Sequence, residues 1–358
     1  DVRASSINEE MKIAAVRALA SLTKTDVPEA VNKAYRVENL HFGRDYIIPK
    51  PLDPRLIYHI APAVAKAAME SGVAKTSIDN WEVYKESLKE RMGIENRLIH
   101  EVRVKAQQNP KRLVFSEAAS FKMLKAVQTI MQDKIANPVL LGDKVQIEQM
   151  IQEYHLDLEG VEILDQTAPS MKAIRTKYAK KLYKNRQRKG MTYEDAQQQM
   201  LRANHFGMMM VTEGDADAFL SGFSSKYADV IRPAIQIAGT NNVQRHVAGM
   251  YIVHTKKGPY FFADTTVNIL PNPRTLVDTT LLIAEKVAHF NIEPVIALVS
   301  YSNFGAIKGA SSNRSREAVE ILHREHPELI VDGEMQMNYA LNTELRKQKF
   351  PFSKLGDK

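Results

Sequence analysis

From Lys111 onward, short apolar runs alternate with amphipathic stretches, and this rhythm limits the possible folds more than any other feature of the chain. Arg112–Ser116 reads as a strand, followed by a helix striped by Phe121, Leu124, Val127 and Met131. Pro138–Leu141 is the next strand, Asp143 to Tyr154 the next helix, and Val161–Leu164 repeats the unit. Later strands are expected at Ala218–Ser221, Val247–His254, Tyr260–Ala263, Pro294–Ser300 and Leu329–Val331, with Lys256-Lys257-Gly258 turning a hairpin. Repeated strand–helix units predict an α/β fold built on a largely parallel sheet. In such sheets ligands bind outside the carboxyl ends of the strands.

The first hundred residues follow a different pattern. Ser6 and Glu9 have capping-box spacing, and Ile7, Met11, Ala14, Ala18 and Leu22 then stripe one helical face. A shorter helix is expected after Pro28. Pro49, Pro51 and Pro54 hold the chain extended from Tyr46 to Arg55. An Ala-rich helix is expected from Pro62 to Glu70, stopped at Gly72. Asp79 is placed to cap a helix carrying Trp81, Tyr84, Leu88 and Met92 that ends at Gly93. Ile94, Leu98, Ile99 and Val102 stripe another. Trp81 suits either core packing or an interface. The boundaries that follow are a helical piece over 1–75, a helical linker over 76–110 and an α/β domain over 111–358.

Composition narrows the function classes. There is no cysteine, which removes disulfides, thiolate metal sites and Cys nucleophiles and fits a reducing cytoplasm. No apolar run reaches membrane-spanning length, so no membrane partner is expected. Lys and Arg total 49 against 42 Asp and Glu, and Lys172–Lys189 carries nine cations and no acid. Met171, Ile174, Tyr178 and Leu182 recur through that run at helical spacing, so the cations read as a wet helix face and no nucleic-acid partner is expected. The chain opens on Asp1 rather than Met, and after Phe350-Pro351-Phe352 it does not return to a strand. Both features predict a piece of a longer chain.

Three strand-end loops gather polar residues. The first runs from Gly214-Asp215-Ala216-Asp217 to Ser221-Gly222 and Ser224-Ser225-Lys226, with Arg232 on the helix beyond. Hydroxyls and free N–H groups at a helix start can hold an anion, and an Arg adds a planar fork. Alternatively, the serines only cap the helix and Arg232 answers an acid. The second loop, Tyr301-Ser302-Asn303-Phe304-Gly305-Ala306-Ile307-Lys308-Gly309, has the glycines and cation of a phosphate cradle but neither nucleotide-loop spacing. The third is Asp332-Gly333-Glu334, whose carboxylates could take a metal or a proton, cap a helix or answer an Arg. His323 and His326 lack an evident third ligand, and Met208, Met209 and Met210 read as core.

Gly190-Met191-Thr192, His205-Phe206-Gly207, Gly214–Asp217 with Ser221-Gly222, Arg232-Pro233-Ala234, Phe262-Ala263-Asp264, Ser300-Tyr301-Ser302 and Asp332-Gly333-Glu334 together resemble the phosphate acetyltransferase signature. That resemblance implies a two-lobed, three-layer α/β domain with a coenzyme A cleft, and a dimer. Asp1-Val2-Arg3-Ala4, Ile7–Lys12 and Tyr46–Pro51 with Asp53-Pro54-Arg55 are similar to the end of a malic enzyme's Rossmann-type nucleotide-binding domain. The pair implies the hybrid bacterial NADP-dependent malic enzyme family, which oxidatively decarboxylates malate to pyruvate and CO2 with NADP and Mg or Mn. Its catalytic Tyr, Lys, metal carboxylates and dinucleotide glycines lie upstream of Asp1. Acetyltransferases carry a Ser-Arg pair and an Asp beyond the position of Lys358, and His-Thr-Thr where this chain has Ser224-Ser225-Lys226. The expectation is therefore a regulatory, self-associating module with no catalytic or metal residues of its own. It would bind acetyl-CoA through Ser224, Ser225, Lys226, Arg232 and Lys308 at the phosphates and Ser302 and Asn303 at the acyl end. An active phosphate acetyltransferase is the alternative.

Overall fold

The computed structural model describes residues 1–37, 40–91, 97–240, 247–255 and 258–356. The chain divides into two units, 1–100 with 254–258, and 101–253 with 259–358.

Over residues 1–100 the first unit is helical. Helices α1 (Glu9–Thr23), α2 (Glu29–Tyr35), α3 (Arg55–Glu70) and α4 (Trp81–Arg91) precede α5 (Arg97–Gln108), which continues into the second unit. Val2, Met11, Ala65 and Ala68 are buried where α1 meets α3, with Trp81 and Tyr84 packed against them, so the single Trp is partly core. Three caps or starts differ from the sequence expectation. Asn8 rather than Ser6 caps α1, its side chain accepting from the Met11 N–H at 3.0 Å, while Glu9 pairs with Lys12. Asn80 rather than Asp79 caps α4, accepting from the Glu82 and Val83 N–H groups. Helix α3 begins after Pro54 and runs straight through Pro62. Its start is fixed by Arg55, which is buried on Asp53 with an Nη2–Oδ2 distance of 2.6 Å and also donates to Thr25 Oγ1. A buried, charge-assisted anchor of this kind outweighs the local signal of a proline. Met92, Gly93 and Ile94 lie outside the described residues.

The second unit contains the predicted alternation. Strands β1 (Lys111–Phe115), β2 (Ala136–Leu141), β3 (Glu162–Leu164) and β4 (Ala218–Leu220) form a parallel sheet in the order β3-β2-β1-β4. Helices α6 (Phe121–Gln132), α7 (Lys144–Glu153), α8 (Lys172–Arg186), α9 (Tyr193–Gln199), α10 (Ala203–Thr212) and α11 (Tyr227–Ile237) cover it. Successive strand residues face opposite sides. Val114, Val139 and Leu141 accordingly join Tyr178, Leu182, Phe206, Met209 and Met210 in one core, while Phe115 and Leu140 join Leu124, Val127 and Ile147 in another. Helix, sheet and helix thus make three layers.

The remainder is a second lobe. Strands β5 (Met250–Thr255) and β6 (Gly258–Ala263) pair with each other, and the Lys256-Lys257 turn between them lies outside the described residues. Helix α12 (Pro273–Ala288), β7 (Val295–Val299), α13 (Ala310–Glu325) and β8 (Ile330–Met335) follow, then α14 (Met337–Leu341) and α15 (Thr343–Lys349). Strands β7 and β8 are parallel, and Val277, Leu298, Ala318, Val319, Leu322 and Val331 form their core.

Candidate functional site

The sheet order decides where a ligand could approach. The chain lays down β1, β2 and β3 toward one edge and then returns to place β4 on the other side of β1. The order therefore reverses between β1 and β4, and a crevice is expected at their carboxyl ends. The segments meeting there are Ser116–Ser120 after β1 and Ser221–Lys226 after β4.

That crevice already holds an anion, the carboxylate of Glu117. It accepts from four successive N–H groups, those of Gly222 (2.8 Å), Phe223 (2.6 Å), Ser224 (2.9 Å) and Ser225 (2.6 Å), and from Ser224 Oγ at 2.8 Å. Consecutive amides bent around one point form a nest for negative charge. Gly222 permits the bend with φ of +105°, where a Cβ would meet nothing but the backbone conformation itself is unfavourable for other residues. Burial alone would raise the Glu117 carboxyl. Hydrogen bonds from Ser224, Ser225 and Phe223 overcome that effect and hold it at about 2. Ser224 and Ser225, read from sequence as partners of a ligand phosphate, thus spend these donors on a side chain of the same protein.

The other residues proposed from sequence are distributed as follows. Lys226 is exposed at the N-cap of α11, and Arg232 is exposed on the same helix. Lys308 is exposed in the β7–α13 loop. None of these three cations makes a side-chain hydrogen bond or ion pair among the described residues. Ser302 is buried, its Oγ accepting from the Ile307 N–H at 3.0 Å, and Asn303 Oδ1 accepts from the Gln336 N–H at 2.8 Å. Ser302 therefore braces its own loop, and Asn303 ties that loop to the residue after β8. No hydrogen bond or ion pair among the described residues joins the Ser224–Arg232 group to the Ser302–Lys308 group.

Asp332-Gly333-Glu334, expected from sequence as a loop, lies inside β8, and both carboxylates are buried. Burial would raise the Glu334 carboxyl, yet the Arg316 guanidinium (Nη2–Oε1 3.1 Å) and the Gly305 N–H (2.8 Å) hold it below its usual range. Asp332 accepts from the Lys354 N–H at 2.7 Å. Apolar Ile330 and Val331 carry the strand pairing on through the polar residues, because Asp332 is in register with Ala297. His323 binds the Val331 carbonyl and His326 pairs with Glu328. Among the described residues no group of three His, Asp or Glu side chains could hold a metal ion. Among those residues, too, no helix is long and apolar enough to cross a membrane.

Cavities lined by described residues flank the first lobe. One, of ≈ 520 Å³, lies at the amino ends of the strands, and its rim charges answer one another. Arg112 pairs with Glu162 at 2.8 Å, while Lys177 and the Tyr178 hydroxyl both meet Asp215, at 3.6 and 2.5 Å. Another, of ≈ 330 Å³, is lined by Arg186, Lys189, Asp195, Gln199, Arg202 and Gln236, among others. Asp195 is committed to the Thr192 capping box of α9. Arg186, Lys189 and Arg202 make no side-chain hydrogen bond or ion pair among the described residues, so three cations face the single Asp195 carboxylate and the pocket lining is net positive. Gln236 belongs to α11, one turn after Arg232, which places Arg232 on the same face of that helix. Beside it His205 is buried, and burial followed by the nearby Arg202 lowers its pKa to about 4, so it adds no further charge at neutral pH. The sequence reading missed Glu117, Arg186, Lys189 and Arg202. The signal for Arg186 and Lys189 was the acid-free run 172–189, which patterning alone assigns to solvent.

Comparison with known proteins agrees with this architecture. The chain is 39% identical to the NADP-dependent malic enzyme of Escherichia coli over 99% of its own length but only 47% of that enzyme's, so it spans about half of such relatives. It is 32% identical to the phosphate acetyltransferase of Bacillus subtilis over 69% of this chain and 75% of that one. A crystal structure of a phosphotransacetylase from Streptococcus pyogenes superimposes with a TM-score of 0.66 at 27% identity, covering 72% of this chain and 78% of that one. Residues 97–358 match the model of phosphate acetyl/butaryl transferases, and through this region the chain belongs to that family.

Proposed function

We propose that this chain is the regulatory and self-associating part of an NADP-dependent malic enzyme, an enzyme that oxidatively decarboxylates malate, and that its transferase-like domain binds acetyl-CoA as an effector without turning it over. The carrying observation is the basic pocket formed by Arg186, Lys189 and Arg202 beside α11, which presents Arg232 next to it. Coenzyme A carries a pyrophosphate and a ribose phosphate, joined to an amide-bearing arm that ends in the thiol. Unpaired guanidinium groups recognise phosphate by charge-assisted, bidentate hydrogen bonds. Similarity to malic enzymes along nearly the whole chain supports the parent activity, and on this reading NADP and a divalent metal would be held by residues outside this sequence. Absence of turnover is supported by Ser224-Ser225-Lys226 in place of the His-Thr-Thr implied by the family resemblance, and by the use of the Ser224 hydroxyl and the Ser225 N–H on Glu117. An effector acts only by favouring one of two arrangements of the protein, so the ligand must bind one state more tightly.

Calorimetry with acetyl-CoA tests the reading. Arg232→Ala and Arg186→Ala are each expected to weaken binding by about tenfold, the loss of one charge-assisted contact. Failure of the wild type to bind, or undiminished binding by both variants, rejects the site. The second reading is an active phosphate acetyltransferase, favoured by the 32% identity to the Bacillus subtilis enzyme. A coupled assay for acetyl phosphate formation on the full-length protein separates the two. Sedimentation with and without acetyl-CoA tests self-association and its response to the ligand.

A further inference from the structure

We propose that the segment 350–356 is a strap that positions the β7–α13 loop, with Phe350 and Phe352 acting as positioning residues through Phe304. The loop turns at Phe304 and Gly305, both left-handed at φ of +46° and +88°. A phenylalanine does not adopt that conformation on local preference, so surrounding contacts must hold it. The Phe304 N–H donates to the Glu334 carbonyl at 2.8 Å. Its ring meets Phe350 at 5.0 Å and Phe352 at 4.9 Å, the latter nearly edge-on, and Tyr339 backs Phe350 at 4.9 Å. The strap is itself pinned in three places. The Lys354 N–H donates to Asp332 in β8, the buried Arg346 guanidinium donates to the Gly356 carbonyl at 3.1 Å, and Leu355 is buried. Phe352 is nevertheless 65% exposed, so an aromatic ring open to water is held over one loop residue by the strap's own anchors. Ser302 and Asn303 precede Phe304 directly, and Lys308 follows four residues later. Release of the strap removes the aromatic contacts that oppose relaxation of Phe304, and the loop gains conformations. The consequence for a ligand rests on the acetyl-CoA reading above, but the positioning itself does not.

Limited trypsin digestion of the full chain tests it, because Lys308 is an exposed cleavage site within the loop. Phe352→Ala is expected to raise cleavage after Lys308 by roughly three- to tenfold, the range set by losing its aromatic contact with Phe304. Phe352→Tyr keeps the ring and should restore the wild-type rate. Cleavage after Lys144, in the other lobe, should not change in either variant. An unchanged rate at Lys308 in Phe352→Ala overturns the proposal, and so does an equal rise at Lys144, which would signal general loosening. Acetyl-CoA calorimetry on the same variants separates the two ideas. Faster cleavage with unaltered affinity supports the strap and removes the loop from the ligand site, whereas faster cleavage together with weakened affinity supports both.

Discussion

Glu117 is a carboxylate placed where a ligand anion would be sought, and its behaviour with pH follows from that placement. Its folded pKa of about 2 lies below the ordinary carboxylate value, so its contribution to stability is fully present above the ordinary value and is lost as pH falls toward 2. Glu117→Gln keeps the volume but removes the charge, and is expected to cost about 1–2 kcal/mol at neutral pH, a range trimmed because the group is partly open to water. Urea unfolding of the two proteins checks this. The stability gap should narrow between about pH 6 and pH 3, and a constant gap would mean that charge is not what the nest recognises. The same residue shows where reading a sequence stops. Ser224 and Ser225 are legible as anion-binding types, but their partner lies 107 and 108 residues earlier, and only the folded sheet brings the two together.

Among the elements, α10 and β4 show how closely a helix can be seated when its sequence allows it. Gly207 faces the Phe219 ring, and a Cβ there would stand 2.5 Å from its Cε2 and 3.1 Å from a Leu141 methyl. Gly207→Ala is therefore expected to wedge α10 away from the sheet at about 1–3 kcal/mol, the usual cost of overpacking, measurable as a lowered urea midpoint with an unchanged slope. Element existence was legible almost throughout the second unit, because period-two and helical patterns alternate there without conflict. Starts and caps were less so. Ser6, Asp79 and Pro62 each carry the right local chemistry, yet Asn8, Asn80 and the Arg55–Asp53 pair determine the ends. The competing candidates lie within one to seven residues of one another, and tertiary contacts choose between them. Asp332-Gly333-Glu334 was misplaced for a related reason, since polar residues inside a strand are tolerated once Arg316, Gly305 and Lys354 satisfy them.

For the molecule as a whole, strand order was the information that the sequence withheld. The four β-strands of the first lobe could be located by pattern, but nothing in the pattern says that β4 returns to the far side of β1. That return creates the crevice, and it also gathers α8, α9, α10 and α11 so that Arg186, Lys189 and Arg202 converge. A pocket built from three cations binds a polyanion with a strong salt dependence. Acetyl-CoA affinity, followed by calorimetry from low to physiological ionic strength, should fall steeply in the wild type and distinctly less in an Arg186→Ala, Arg202→Ala double variant. Equal slopes would place the ligand's phosphates elsewhere.

The nest at 222–225 has one further consequence, for anyone adding small anions to the protein. A free phosphate or sulfate arriving there competes with a rival on a leash. A group joined to its receptor by the same chain behaves as though present at millimolar concentration or more, about the level reached by short tethers. Ordinary phosphate buffer should therefore leave Gly222–Ser225 in its present shape, and a variant that shortens or neutralises residue 117 would turn the same loop into an open receptor for inorganic anions.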